Sequence, residues 1–229
     1  MNPVPFIDIH THAARSGKDT ITVQNIFPGE GFAAFSGRNF YSVGLHPWHI
    51  GSREENNEAL QMVENALEFD HVIMVGEAGL DKLNNNDFAE QMHVFEAQAF
   101  MAEEYQNPLI IHCVKAYNEV IELRKKMNPV MPWILHAYNG SLEMTRQMAD
   151  MGFIFSFGET LFRDNAKAIE SFRYLPLNKI FFETDEADTV VETIYKKGAE
   201  LKQVQMDEMK YIIWKNFNRI EKLLTGRVR

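Results

Sequence analysis

Short apolar runs recur along this 229-residue chain, each closed by polar or ionisable residues. Between them lie stretches whose apolar positions return at helical spacing. The runs predict strands over 4–9, 21–27, 41–47, 72–80, 108–114, 132–139, 153–158 and 179–185. Helices are expected over 54–69, 87–105, 116–127, 141–152 and 164–175, with a helical region from about 189 to 225. Leu60, Val63 and Leu67 share one face of the first helix, and Asp87 is placed to cap the second. FAAF, at 32–35, reads as a short apolar turn.

Near-continuous apolarity is the mark of strands buried on both faces, as parallel strands are. Eight of them alternating with helices predict an α/β chain folded as one (β/α)8 TIM-type barrel. Its length lies at the low end for that architecture, and the linkers around strands two and three are too short for full helices. An irregular corner is expected there. With no repeat, low-complexity stretch or Pro/Gly/Ser-rich linker, residues 1–229 read as a single domain.

Composition narrows the setting. Hydrophobic residues make up 45% and charged residues 24%, ordinary for a globular protein. No apolar run has the length needed to span a bilayer, and MNPVPFIDIHTH lacks the basic and apolar regions of a signal peptide. One cysteine, Cys113, precludes an intrachain disulfide and fits a reducing compartment, so a cytoplasmic protein with no obligate protein partner is expected. A net charge of -9 argues against broad attraction to nucleic acid. Two bound divalent ions would bring about four positive charges to one place and reverse the local field, so a phosphodiester substrate stays open.

The candidate chemistry lies at or just beyond the ends of five strands: His10, His12, Glu77, His112, His136 and Asp185. Residues i and i+2 of a strand share a side, so both imidazoles of His10-Thr11-His12 can face one mouth. Glu77 closes the apolar run VIMVG, where an unpaired acid is costly; a cation or a neighbour such as Lys82 could answer it. A carboxylate can also bridge two cations. Taken singly, His112 and His136 read as satisfied core histidines rather than ligands. Together, the residues converge on the end of a barrel where active sites form. They suit one or two divalent ions; magnesium, manganese and zinc all accept such a mixed set. The expected reaction is hydrolysis by metal-activated water, with Asp185 orienting the water and taking its proton and Glu77 holding the metals.

The neighbourhood offers weaker candidates. His46 and His49, at the end of strand three, could donate to a phosphate oxygen, and Lys115 could pair with one. Arg15, Lys18 and Arg163 read equally as loop decoration, and the terminal GRVR as a solvated end. Trp48 and Phe162 could stack on bases or simply pack. Cys113 adjoins His112, so if that histidine faces the metal the thiol faces the helices, as a small buried hydrophobe.

FIDIHTH, YSVGLHPW, VGEAGLDK, PLIIHCVKA, ILHAYNG and FFETD appear in this order between about residues 6 and 186. The set resembles the motifs of the TatD family of metal-dependent deoxyribonucleases, amidohydrolase-type barrels, and Gln91, Phe95 and Gln98 fit the helix after its GLD segment. The resemblance implies that His10, His12, Glu77, His112, His136 and Asp185 ligate metal and that His46 meets substrate. It also implies hydrolysis of phosphodiesters in DNA, from 3′ ends. Two departures concern specificity: the segment from His12 to Gly44 is short, and EADTVVETIYKK follows Asp185 without the family's usual proline and extended loop. A hydrolase of small esters, lactones or amides on the same centre is the alternative; many such barrels carry a carboxylated lysine on strand four, where this chain has Glu77. A catalytically silent metal-binding protein is a third reading, disfavoured because every ligand position is filled.

Overall fold

A computed structural model of the protein describes residues 4–13, 17, 19–30, 39–163 and 167–225. The expected turn at 32–35, Arg15, Lys18 and the terminal GRVR fall outside the described residues. Eight strands form one sheet in sequence order: β1 (Phe6–Thr11), β2 (Thr20–Ile26), β3 (Asn39–Val43), β4 (Val72–Asp81), β5 (Leu109–Val114), β6 (Trp133–Leu135), β7 (Ile154–Phe157) and β8 (Ile180–Phe182). Every neighbouring pair is parallel, so all C-terminal strand ends meet at one mouth.

The sheet curls until β8 returns to β1, making the expected, nearly closed barrel. The seam is an isolated parallel bridge between Thr11 and Asp185. The Asp185 amide donates to the His10 carbonyl at 3.0 Å, and the His12 amide donates to the Asp185 carbonyl at 3.2 Å. Beneath it, the buried Asp8 carboxylate accepts the Thr184 amide at 3.0 Å and the Thr184 hydroxyl at 2.7 Å. Burial pushes the Asp8 carboxyl up to about 7.

Helices α1 (Arg53–Ala66), α2 (Phe88–Glu104), α3 (Tyr117–Met127), α4 (Leu142–Asp150) and α5 (Lys167–Tyr174) cover β4 to β8 as the periodicity predicts. Ser52 and Glu55 close a capping box on α1, while Asp87 and Ser141 cap α2 and α4. The helical region after 189 is two helices, α6 (Val191–Lys202) and α7 (Met206–Thr225), separated by Gln203 with φ 55°. Among the described residues no helix joins β1 to β2 or β2 to β3, so the expected irregular corner is present.

A parallel strand still needs cover on its outer face, and the C-terminal helices provide it. The Tyr195 ring on α6 meets Phe6 edge-on at 5.0 Å, Lys210 Nζ stands 3.9 Å above the Phe6 ring, and Phe217 on α7 lies 6.0 Å from Phe40. Tyr195 is fully buried; its hydroxyl accepts the Ile7 amide at 3.0 Å and donates to the Ile7 carbonyl at 3.1 Å. Tyr195→Phe should therefore leave two backbone groups of β1 unpaired. Urea unfolding should show a loss of about 1–3 kcal/mol; an unchanged midpoint would mean that the hydroxyl contributes nothing to holding β1.

Candidate metal centre

The site is built around β4. Its backbone runs so close to β5 that a Cβ on Gly76 would collide with the Ile110 carbonyl oxygen, and one on Gly79 with that of His112. Both glycines also have positive φ, 123° and 151°, which side chains rarely tolerate. Between them, the β4–β5 register shifts from Val75 to Ala78, at the position of Glu77. The Glu77 amide donates to Asn25 Oδ1, which also accepts the Ser42 hydroxyl at 3.0 Å.

Glu77 is 3% exposed, and five imidazoles close around its carboxylate. On one side His10 Nε2 and His12 Nε2 lie 3.2 and 3.1 Å from Oε2, so the two histidines do share a face. Asp185 Oδ1 stands 3.7 and 3.6 Å from these nitrogens. On the other side His46 Nε2, His112 Nδ1 and His136 Nε2 lie 3.1, 2.8 and 2.8 Å from Oε1. All six residues read from sequence as a set are thus together. Lys82, the alternative partner of Glu77, instead pairs with Glu119.

Burial opposes charge on Glu77, yet the imidazoles, His136 foremost, hold its carboxyl well below the usual carboxylate range. Burial likewise opposes protonation of His136, but Glu77 and Glu183 raise it well above an ordinary histidine. Burial raises the Asp185 carboxyl. Both nitrogens of His10, Nε2 of His112 and Nδ1 of His136 are buried without a hydrogen-bond partner. Each such group costs about 1–3 kcal/mol. Among the described residues, three donor trios have their ligating atoms within 4.8 Å of one another: His10/His12/Glu77, His10/His136/Asp185 and His46/Glu77/His112. Nitrogen and carboxylate donors, crowded and underbonded, fit a divalent cation.

Three further carboxylates support the cluster, and reading single strand ends for ligands passes over them. Asp81 Oδ2 accepts the Trp48 indole N–H at 2.7 Å and lies 3.5 Å from His112 Nε2. Glu183, fully buried, accepts the Ala137 amide and lies 3.8 Å from His136 Nδ1. Asp8 holds Thr184 at the seam. The signal was present, since all three belong to the quoted motifs GLDK, FFETD and FIDIHTH.

The expected substrate contacts fare unevenly. His46 is 5% exposed and turned toward Glu77, inside the cluster rather than at its rim. Lys115 stands exposed in the turn after β5 with φ 57°, without an ion pair among the described residues. Arg163 lines a cavity of about 320 Å³ beside Asp185, together with Ala137, Thr160, Glu183 and Glu186. Trp48 and Phe162 are 55% and 47% exposed. The Cys113 thiol packs against the core, and burial pushes it up to about 12, so it is no nucleophile at neutral pH.

With this geometry in hand, comparison places the chain. An uncharacterized metal-dependent hydrolase of Haemophilus influenzae is 29% identical over 181 residues, covering 76% of this chain and 66% of its own. A relative from Enterocytozoon bieneusi, provisionally named a deoxyribonuclease, is 27% identical over 183 residues, covering 74% and 64%. The chain thus spans just under two thirds of the length of these relatives. The crystal structure of YjjV, a TatD homolog from Escherichia coli K12, shares the fold with a TM-score of 0.81 at 20% identity, over 94% of this chain and 97% of that one. A family model described as TatD related DNase matches residues 30–222, and the chain belongs to that family.

Proposed function

We propose that residues 1–229 form one metal-dependent hydrolase domain that cleaves phosphodiester bonds at DNA 3′ ends. The observation that carries this is the buried Glu77 carboxylate with histidines on both of its oxygens and Asp185 beside them, at the C-terminal mouth of a barrel. His10, His12 and Asp185 would hold one cation with Glu77 Oε2; His112 and His136 would hold a second with Oε1. Such ions lower the pKa of water from 15.7 toward about 7 and polarise the phosphoryl oxygens.

The chain's own groups do the rest. Asp185, half-buried with its carboxyl raised by burial, borders the cavity and is placed to accept a proton from water. Among the described residues lining that cavity, Arg163 is the one cation beside Glu159, Glu183 and Glu186, which suits an uncharged sugar or base better than a further phosphate. Lys115 at the rim supplies positive charge for the phosphate backbone, and the exposed rings of Trp48 and Phe162 offer stacking faces for unpaired bases. The deoxyribonuclease reading is further supported by the family's description and by the name of the Enterocytozoon relative. We place the protein in the cytoplasm, where a lone unpaired cysteine is stable; no described helix is long and apolar enough to cross a membrane.

Metal-stripped protein supplied separately with magnesium, manganese or zinc should release nucleotides from 3′-end-labelled single-stranded DNA. Asp185→Asn should lower kcat about 10²–10⁴-fold while metal stays on the Glu77–His112–His136 side; Glu77→Ala should lose metal and activity together. Wild type that binds metal yet leaves DNA intact, and cleaves a small carboxylic ester or amide instead, would shift the assignment to the small-substrate hydrolases.

Metal should also stabilise the fold. At a free concentration of 100 times Kd, a single cation adds about 2.7 kcal/mol, which raises Tm by roughly 5–10 °C for a chain of this size. A calorimetric scan with and without chelator checks this, and coincident melting curves would refute tight binding.

A further inference from the structure

The three imidazoles around Glu77 Oε1 are chemically unlike. A neutral imidazole carries one N–H and one lone pair, and the partner of its outer nitrogen decides which nitrogen faces the metal with a lone pair. For His46 the outer nitrogen is Nδ1, which accepts the Trp48 amide at 3.1 Å. Its proton must then be on Nε2, 3.1 Å from Glu77 Oε1. That nitrogen is a donor with no lone pair to give a cation. Protonating Nδ1 as well would set an N–H against the Trp48 amide.

His112 and His136 are arranged the other way round. Their outer nitrogens face carboxylates: His112 Nε2 lies 3.5 Å from Asp81 Oδ2, and His136 Nδ1 lies 3.8 Å from Glu183 Oε1. Without a cation the inner nitrogens, His112 Nδ1 and His136 Nε2, face Glu77 Oε1 at 2.8 Å each and lie 3.3 Å from one another; when a cation takes their lone pairs, the ring protons belong on the outer sides, where Asp81 and Glu183 stand. Trp48 acts on both outcomes, because its amide fixes His46 while its indole N–H holds Asp81 at 2.7 Å. The turn that carries it is tied down in turn by Asn86, whose side-chain amide donates to the carbonyls of Pro47 and Trp48 at 2.9 and 3.1 Å.

We propose that Trp48, Asp81 and Glu183 sort the tautomers of this trio, so that His112 and His136 ligate the cation while His46 only donates to Glu77 and orients it. The inference rests on the reading of the centre as a metal site. It removes His46 from the donor trio that proximity alone would form, and it makes His46, Asp81 and Glu183 positioning residues.

The experiment has two arms on the full-length protein. Nitrogen-15 NMR of the histidine rings, in metal-free and zinc-loaded protein, reads the tautomers without any substitution. His46 should be protonated on Nε2 in both states, with His112 protonated on Nε2 and His136 on Nδ1 when zinc is bound. A His46 that carries its proton on Nδ1, or that shifts to a zinc-bound nitrogen, overturns the proposal. Zinc titration against a chromophoric chelator then compares variants whose fold is checked by circular dichroism. His46→Gln keeps an N–H donor and should bind zinc within about threefold of wild type, whereas His46→Ala should bind more weakly. Asp81→Asn must turn its NH₂ toward either the Leu83 amide or the Trp48 and His112 donors, and should bind about 10–100-fold more weakly. A His46→Gln loss as deep as that of His112→Ala would make His46 a ligand, and an Asp81→Asn variant equal to wild type would remove Asp81 from the scheme. If wild type binds no zinc, the metal reading fails on its own, while the metal-free spectra still report the His46 tautomer.

Discussion

Burying an ionised carboxylate costs several kcal/mol even after relaxation, and Glu77 is buried at the centre of a barrel mouth. Much of the surrounding architecture can be understood as the answer to that cost. Among the described residues no lysine or arginine pairs with it; the charge is met by imidazoles at the end of β1, in β5 and in the turns after β3 and β6. Imidazoles are partial donors, so the cluster is left short of positive charge. A cation would complete it, and the same shortage that makes the metal-free site costly would favour a divalent ion. Stability and chemistry therefore draw on one group of atoms.

The backbone bears a second strain. Lys115, Ala137 and Asp185, in the turns after β5, β6 and β8, have φ of 57°, 43° and 52°. Left-handed geometry costs of order 1–3 kcal/mol for each such residue. Two of the three are fastened by bonds that also serve the site: the Ala137 amide by Glu183, and Asp185 by the backbone of His10 and His12. The turns bend the chain sharply at the points where His136 and Asp185 must project.

Much of this was legible in the sequence for a physical reason. Parallel strands are buried on both faces, so their apolar runs stand out, and a ligand at the end of such a run is conspicuous. His10, His12, Glu77, His112, His136 and Asp185 could be read that way, and so could the irregular corner, from linker length alone. The split between α6 and α7 was harder, because Gln203 takes a left-handed turn with no glycine to announce it. His46 showed its presence but not its burial, since a histidine after GL looks the same at a rim or in a cluster. Asp81 and Glu183 were visible as motif members, yet their partners are the far nitrogens of histidines 31 and 47 residues away, and no local pattern encodes which ring nitrogen faces which acid.

The seam between β1 and β8 bears on how the protein is made. Asp8 and Thr184 are 176 residues apart in the chain, and their bonds fix the turn that carries Asp185. Synthesis proceeds at about 5–20 residues per second, N-terminal parts first. The first histidines therefore wait for many seconds before the last acid emerges, and β1 lacks its cover until α6 and α7 follow. By the end of that interval a growing chain holds most of the donor atoms but no enclosed site. The cluster should close late and all at once, which spares the cell a half-built site on the ribosome.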